Sequence, residues 1–142
     1  MGKRLTSQRR GRGTNTFKAK LNGIESKYLA QSQDLLKGEI VDFTKESGRN
    51  TIMTKIVFDN GQQEEVIAPE GIYIGQQIEQ GPGASINVGN VAPLENLPEG
   101  CPVFNIEKIA GDGGTLVKSA GGYALILSKD KYLHFVLHKI DR

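Results

Sequence analysis

The sequence has few of the residues from which disulfides, metal sites and membrane segments are built. Its 142 residues include one cysteine, two histidines and no tryptophan. A single cysteine excludes an internal disulfide and a cysteine-based zinc site, so we interpret Cys101 as a small buried residue rather than a nucleophile. No apolar run is long enough to span a bilayer, and the N-terminus lacks the apolar stretch of a signal peptide. We therefore expect a cytoplasmic chain with no membrane partner.

Patterns that would indicate catalysis are also missing. The carboxylates form no recognisable acid–base pair, and there is neither a Gly-x-Ser-x-Gly elbow nor a Cys–His couple. His134 and His138 are four residues apart, but they lie in a β-type run with no obvious third ligand. The sequence predicts no catalytic residue, no metal site, no cofactor and no small-molecule substrate. We do not expect an enzyme.

Positive charge is concentrated at the N-terminus. The first twenty positions hold seven basic residues and no acidic one, whereas the remainder holds 11 basic and 16 acidic residues. This arm has no apolar periodicity, so it is not expected to fold alone. A dense, glycine-spaced cationic segment attracts a phosphate backbone, although a solvated tail has the same composition. The candidate RNA-binding residues of the arm are Lys3, Arg4, Arg9, Arg10, Arg12, Lys18 and Lys20.

From position 37 to position 90 the pattern predicts short β-strands. Residues 52–59 alternate, with Ile52, Thr54, Ile56 and Phe58 expected on one face. Asn60-Gly61 predicts a tight primed hairpin turn, because such a turn needs two residues with positive φ. Short strands separated by turn residues are typical of a small barrel or sandwich. The other predicted strands are 38–43, 63–68, 72–74 and 77–78; residues 21–36 fit either a short helix or an ordered loop.

A loop-rich hinge at 89–100 predicts a domain boundary. Beyond it, strands are predicted at 103–106, 123–127 and 132–137. This set is one or two strands too few to close a second barrel. The run Gly-Asp-Gly-Gly at 111–114 fits a β-turn better than a phosphate cradle, because no following helix offers its N-terminus.

Two further places could contact a nucleic acid. Arg49 follows a glycine in a predicted turn and fits either a phosphate contact or a solvated residue. Residues 118–123 group a cation, a hydroxyl, bare backbone and an aromatic ring, which are contact types used on RNA. A plain surface turn explains the same residues. The candidates here are Lys118, Ser119, Ala120 and Gly121.

Several short motifs, in one order along most of the chain, resemble the ribosomal protein L two family of the large subunit in its archaeal and eukaryotic form. Prominent among them are Gln-Arg-Arg-Gly-Arg-Gly-Thr at 8–14, Ala-Pro-Glu-Gly-Ile-Tyr-Ile-Gly-Gln at 68–76 and Gly-Asp-Gly-Gly at 111–114. The others lie at 1–4, 48–49, 89–91, 97–100, 105–107 and 119–121. Each motif alone is weak, but their common order makes the resemblance strong.

The resemblance implies a mostly β fold in three parts. These are a basic N-terminal arm and linker at 1–35, an OB-type barrel at 36–90 and a Src-homology-3-like barrel at 91–142. It also implies a non-enzymatic constituent of the large subunit that organises rRNA near the peptidyl-transferase region and supports subunit association. Its partners would be rRNA and neighbouring ribosomal proteins. The arm cations and residues 118–121 carry over as rRNA contacts.

The chain departs from the family pattern in three places. Glu46-Ser47 stands where Asp-Pro is common, and Gly122 stands where Thr is usual. The family also continues past position 142 through a basic extension, so we expect either a fragment or a shortened form with an incomplete second barrel. A rival interpretation is a free OB-type module for single strands, which would need exposed aromatic rings. The nine Tyr and Phe residues, several at core-facing strand positions, argue against it.

The arm gives the first testable prediction. Deleting residues 1–20 should weaken binding to large-subunit rRNA and flatten its salt dependence, because up to seven phosphate contacts would be lost. Filter binding over a series of salt concentrations measures this slope. An unchanged slope in the truncated chain would show that the arm does not contact RNA.

Overall fold

The computed structural model describes residues 2–3, 5–18, 23, 25–29, 34–129 and 133–138, and it confirms a mostly β fold. One short helix, α1 (Thr6–Arg10), lies in the arm. Within the described ranges, no helix has the length and apolar character needed to cross a membrane. The strands are β1 (Leu36–Lys45), β2 (Ile52–Phe58), β3 (Gln63–Ile67), β4 (Gln77–Gln80), β5 (Pro102–Val103), β6 (Tyr123–Lys129) and β7 (Leu133–His138), with a 3₁₀ turn at Leu94–Asn96 between β4 and β5.

The first four strands form one antiparallel sheet in the order β3-β2-β1-β4. Alternate apolar residues place one face of the sheet in a common core. Its fully buried members are Ile40, Ile56, Phe58, Val66 and Ile78. Each such side chain stabilises the fold by about 1.5–3 kcal/mol through its removal from water. A register shift between Ile40 and Asp42 marks a bulge in β1, which bends this central strand.

The alternation predicted for β2 is confirmed at three positions and wrong at its start. Thr54, Ile56 and Phe58 are buried, but Ile52 is 53% exposed and Met53 is completely buried. Consecutive burial of Met53 and Thr54 means that the sheet is covered on both faces at this end. A period-two pattern indicates one buried face and therefore cannot show such a change.

The hairpin between β2 and β3 forms as predicted, but its turn is wider than the expected primed turn. Gly61 has φ +82°, whereas Asn60 does not have positive φ. The Gly61 N–H donates to the Phe58 carbonyl at 2.9 Å, and the Phe58 N–H donates to the Gln62 carbonyl at 2.9 Å. Asn60 instead uses its side chain, whose Oδ1 accepts the Gln62 N–H at 2.9 Å. A single left-handed glycine therefore suffices for this reversal.

The strand predicted at 72–74 is wrong, because this segment is a turn. Gly71 and Gly75 flank it with φ of +87° and +86°. The Gly75 N–H donates to the Ile40 carbonyl at 2.8 Å, and the Ile40 N–H donates to the Gln76 carbonyl at 3.0 Å. The turn is therefore fastened to the bulged part of β1, and Tyr73 and Ile74 are left exposed.

The second sheet has the order β5-β6-β7 and its own core of Val103, Ile106, Ala124 and Ile126. Only Val103 of the strand predicted at 103–106 belongs to β5, and Ile106 forms an isolated bridge with Leu116. Cys101 is half-buried against this core, which agrees with a packing role. The boundary at 90/91 and the two barrel types remain predictions.

The arm contains a helical turn that its composition did not indicate. Gln8 accepts the Leu5 N–H on its side-chain oxygen at 3.1 Å, which caps the helix at one end. Arg9 and Arg10 lie in the last turn, where cations complement the helix dipole. The helix buries no residue, so packing does not hold it in place.

Gly38 provides a test of the packing of the first sheet. It lies opposite Phe58 on one side and Ile78 on the other. A Cβ at this position would lie 2.8 Å from Phe58 Cδ1 and 2.9 Å from the Val57 carbonyl oxygen. Gly38→Ala should therefore lower the free energy of unfolding by about 1–3 kcal/mol, as measured by urea denaturation.

Gly83→Ala is the matched control. Nothing lies within 4 Å of a Cβ built on Gly83, and its φ is not left-handed. Its unfolding free energy should stay within about 0.5 kcal/mol of the parent. Equal stability of the two variants would contradict the packing of Gly38 described above.

Candidate nucleic-acid interface

Residues 25–29 lie between the two sheets, and we call this segment the strap. On one side, the Leu29 N–H donates to Glu64 Oε2 of β3 at 2.9 Å. On the other side, the Tyr28 N–H donates to the Gly113 carbonyl at 3.1 Å. Tyr28 and Leu29 also pack against the first core. The strap therefore joins elements from both halves of the chain, and this part of 21–36 is an ordered loop rather than a helix.

The strap and Asn105 explain two glycines of the 111–114 loop, Gly113 and Gly114. A Cβ on Gly113 would lie 2.7 Å from Lys27 Cβ, and a Cβ on Gly114 would overlap the Asn105 side chain. Both glycines also have positive φ. Asn105 is buried, and burial is the main cause that raises the pKa of Tyr28. Glycine is required here because the strap approaches the loop closely.

The backbone N–H groups of this glycine loop are already occupied. Gly111 and Gly113 donate to the two carboxylate oxygens of Glu107 at 3.2 and 3.0 Å. Gly114 donates to Asp112 Oδ1 at 3.0 Å. A phosphate would have to displace these carboxylates, so the loop is not a phosphate cradle. The turn favoured by the sequence is the better description.

Asp112 organises the same loop. Its Oδ2 accepts the N–H groups of Lys108 and Ile109, both at 3.1 Å. Burial acts to raise the pKa of Asp112, but the hydrogen bonds from Ile109, Gly114, Lys108 and Thr115 outweigh it and lower that pKa. The carboxylate therefore stays ionised beside the strap.

An open cleft of about 320 Å³ lies where the strap meets both halves. Three cations from separate segments reach it: Lys27 from the strap, Arg49 from the turn after β1, and Lys118 from the segment before β6. Arg49 and Lys118 are sequence candidates, and the fold brings them together. The cleft is lined by Glu25, Ser26, Lys27, Arg49, Asp112, Gly114, Thr115 and Lys118.

Arg49 is held in place by a buried carboxylate. Its Nε forms an ion pair with Glu46, whose side chain is only 1% exposed, while the Arg49 side chain remains 31% exposed. Arg49 thus presents a fixed positive charge to the cleft.

Lys118 is both a structural and an electrostatic component of the cleft. Its Nζ donates to the Ser26 carbonyl at 2.7 Å and to the Gly114 carbonyl at 2.6 Å. An ammonium group has three donors, so one remains. Burial is the main cause that lowers the pKa of Lys118; the nearby charges of Arg49 and Lys27 lower it further, and Asp112 opposes them. Bringing an anion near would relieve this repulsion.

The other candidates are exposed but do not line the cleft. Ser119, Ala120 and Gly121 form a turn closed by the Gly122 N–H, which donates to the Ser119 carbonyl at 3.0 Å. In the arm, the described candidates Lys3, Arg9, Arg10, Arg12 and Lys18 are all exposed. Arg4 and Lys20 lie outside the described residues. Contacts of these residues with RNA remain predictions.

Lys27 is the site residue that the sequence did not indicate. It is one basic residue in a segment with no motif, and its side chain is 58% exposed with a 3.2 Å ion pair to Glu25. Only the path of the strap between the two sheets places it beside Arg49 and Lys118. A sequence signal for this position would have required knowledge of that path.

Comparison with known proteins shows the class of protein to which this chain is similar. Residues 87–139 match the family "Ribosomal Proteins L2, C-terminal domain". The chain is 41% identical over 136 residues to the large ribosomal subunit protein uL2 of Methanothermobacter thermautotrophicus, which covers 92% of this chain and 56% of the relative. The uL2 proteins of Methanosphaera stadtmanae and Methanococcus vannielii are 44% and 43% identical over the same length.

Over 92% of its length the chain is similar to archaeal uL2 proteins of the ribosomal protein L2 family, which confirms the resemblance drawn from the motifs. It spans 56–57% of the length of these curated relatives. The matched region of 87–139 contains Lys118 and the glycine loop, whereas Arg49 and the strap lie in the part covered by the uL2 relatives.

The buried carboxyl at the strap predicts a pH dependence of stability. Glu64 is 4% exposed, and burial raises its pKa from 4.5 to about 7, against the lowering effect of the Leu29 hydrogen bond. At a pH between these two pKa values, the Glu64 carboxyl is protonated in the folded chain and ionised in the unfolded chain. The unfolding free energy should therefore fall as pH rises from 4.5 to 7, by on the order of 3 kcal/mol from this group.

Glu64→Gln isolates the effect, since the amide oxygen can still accept the Leu29 N–H but does not ionise. The variant should match the parent near pH 4.5 and exceed it in stability above pH 7, as measured by urea denaturation at each pH. Glu70→Gln, at an exposed position, is the control and should follow the parent throughout. Parallel pH profiles for the parent and Glu64→Gln would contradict the burial of this carboxyl.

Proposed function

We propose that this chain is a structural constituent of the large ribosomal subunit that binds rRNA in the cleft at the strap and through its basic arm. The observation that carries the proposal is the convergence of Lys27, Arg49 and Lys118 from three separate segments. Two of these cations are held in place by bonds to buried or backbone groups. Prepositioned cations lose little freedom when they bind a phosphate.

The distribution of charge supports a placed contact. Residues 34–80 hold nine acidic and four basic side chains, so most of the first sheet repels a polyanion. The arm supplies the strong, sequence-independent attraction, and the cleft supplies a contact of fixed position. Glu25 and Asp112 at the cleft limit its net charge, which favours one or two phosphates over a long duplex surface.

The remaining parts of the proposal follow from the family. Within the ribosome, the chain would organise rRNA near the peptidyl-transferase region, support subunit association and contact neighbouring ribosomal proteins in the cytoplasm. Residues 119–121 would add contacts to RNA from their exposed turn. The relatives support this role by their name, large ribosomal subunit protein uL2.

A structural role also agrees with the chemistry of the site. The family is one of ribosomal structural proteins. In the described part of the chain, no group of three or more His, Cys, Asp or Glu residues could hold a metal ion. The carboxylates of the glycine loop are committed to backbone N–H groups.

A free module for single strands is less well supported. It would stack bases on exposed rings, and the structure does expose Tyr73 (64%) and Phe17 (42%). Tyr73, however, lies in the turn that is fastened to β1 of the acidic first sheet, and Phe17 lies in the arm. Neither ring adjoins the cationic cleft residues, so no stacking platform accompanies the phosphate contacts.

Lys27 allows a direct test. Lys27→Ala removes a cleft cation whose side chain is exposed and forms an ion pair with the exposed Glu25, so folding should be unaffected. Its affinity for large-subunit rRNA should fall several-fold, and the slope of log K against log salt should decrease by about one. Filter binding over a salt series gives both quantities.

Lys37→Ala is the matched control, because Lys37 is an exposed cation with a single 3.9 Å ion pair, to Glu79, at the other end of β1. It should keep the parental slope. Equal slopes for Lys27→Ala and the parent would remove the cleft from the proposal. Failure of the unaltered chain to sediment with the large subunit in a high-salt gradient would contradict the ribosomal role itself.

A further inference from the structure

We propose that the exposed apolar residues Tyr73, Ile74, Ile86 and Val88 form a docking surface for a basic protein. These four side chains are 58–64% exposed, although three of them are aliphatic. They lie on two loops, at 72–76 and 85–89, and we call them the apolar patch. The proposal concerns a surface that the RNA-binding cleft does not use.

The two loops are held against one another. The Gln76 side chain accepts the Tyr73 N–H on Oε1 at 3.3 Å and donates from Nε2 to the Val88 carbonyl at 2.9 Å. A Cβ on Gly89 would lie 3.4 Å from Ile72 Cγ2 and 2.8 Å from Ile78 Cδ1. The loops therefore pack on a common base, and the apolar patch is a fixed feature rather than two independent tips.

A hydrogen-bond network also fixes the second loop. Glu79 Oε2 accepts the Ser85 N–H at 2.8 Å and the Ser85 hydroxyl at 2.6 Å. Asn90 Nδ2 donates to the Ser85 carbonyl at 2.9 Å. Ile86 and Val88 thus remain exposed although their backbone is well fastened. Exposed apolar side chains on a fixed backbone mark an interaction surface, because little conformational entropy is lost when a partner binds them.

The surrounding charge indicates the kind of partner. Glu70 is exposed shortly before the patch, and Glu39 Oε1 lies 3.6 Å from the position of a Cβ on Gly75. Residues 34–80 as a whole carry nine acidic and four basic side chains. A partner with an apolar contact rimmed by Lys or Arg would complement both properties.

The same charges disfavour other occupants. RNA phosphates would be repelled by these carboxylates, and three of the four side chains offer no ring on which a base could stack. A second copy of the chain would bring identical carboxylates together. The patch is also distant from the cleft, because the 72–76 loop is fastened at Ile40 while Arg49 lies past Lys45. The intervening strand is about 16 Å long.

A site-specific photo-cross-linker tests the surface in the native assembly. Benzoylphenylalanine replaces Ile74 in the full chain, expressed in its own cells, and the sample is irradiated and then treated with ribonuclease or protease. The expected product is a ribonuclease-resistant adduct with one basic polypeptide. The same probe at Ile52, an exposed apolar position of β2 outside the patch, is the control and should not give this adduct.

The charge requirement is tested in the same format. Glu39→Gln with Glu70→Gln should reduce the yield of the adduct at least fivefold. Glu95→Gln with Glu99→Gln, two exposed changes between β4 and β5, should not reduce it. A ribonuclease-sensitive adduct, an adduct of twice the chain mass, no adduct, or a yield independent of Glu39 and Glu70 would each overturn the proposal. The salt dependence of rRNA binding is measured in a separate experiment. A negative cross-linking result would therefore contradict the docking surface without bearing on the RNA-binding proposal.

Discussion

The strap is the constraint on which the rest of the structure depends. Two of its five residues make the connection: Leu29 bonds to Glu64 on one sheet, and Tyr28 bonds to Gly113 on the segment that leads to the other. None of the described strands pairs with both sheets. The strap therefore sets the neighbourhood of Arg49 and Lys118, which are far apart in sequence, and it supplies Lys27 itself. A change in its path would disperse the cleft even if both cores stayed intact.

This arrangement keeps like charges close to one another. Lys118 is fixed by two backbone carbonyls, and its charge lies near those of Arg49 and Lys27. The folded state tolerates this repulsion because three groups offset it. They are the Ser26 and Gly114 carbonyls and the buried Glu46 carboxylate. An anion in the cleft would convert the repulsion into attraction, so the free chain is already organised for a phosphate. Binding should then cost little rearrangement.

Local patterns predicted the strands well and the site only in part. The alternation of Thr54, Ile56 and Phe58 and the glycine of the hairpin depend on neighbouring residues, so the sequence shows them directly. Lys27 joins the cleft through contacts with residues far along the chain, and no local signal reports such contacts. The segment 72–74 has β-type residues, but flanking left-handed glycines fasten it as a turn on Ile40. Motif order, in contrast, was sufficient to indicate the family.

The two surfaces differ in a way that assigns them to different partners. The cleft gathers three cations around a few polar groups, whereas the apolar patch exposes aliphatic side chains among carboxylates. A phosphate backbone suits the first and is repelled by the second, and a basic protein has the opposite preference. Because β1 carries one surface near each end, a single rigid strand would hold RNA and protein partners at a fixed separation. The proposed protein partner would then account for the acidic character of the first sheet, which is unexpected for a chain proposed to bind RNA.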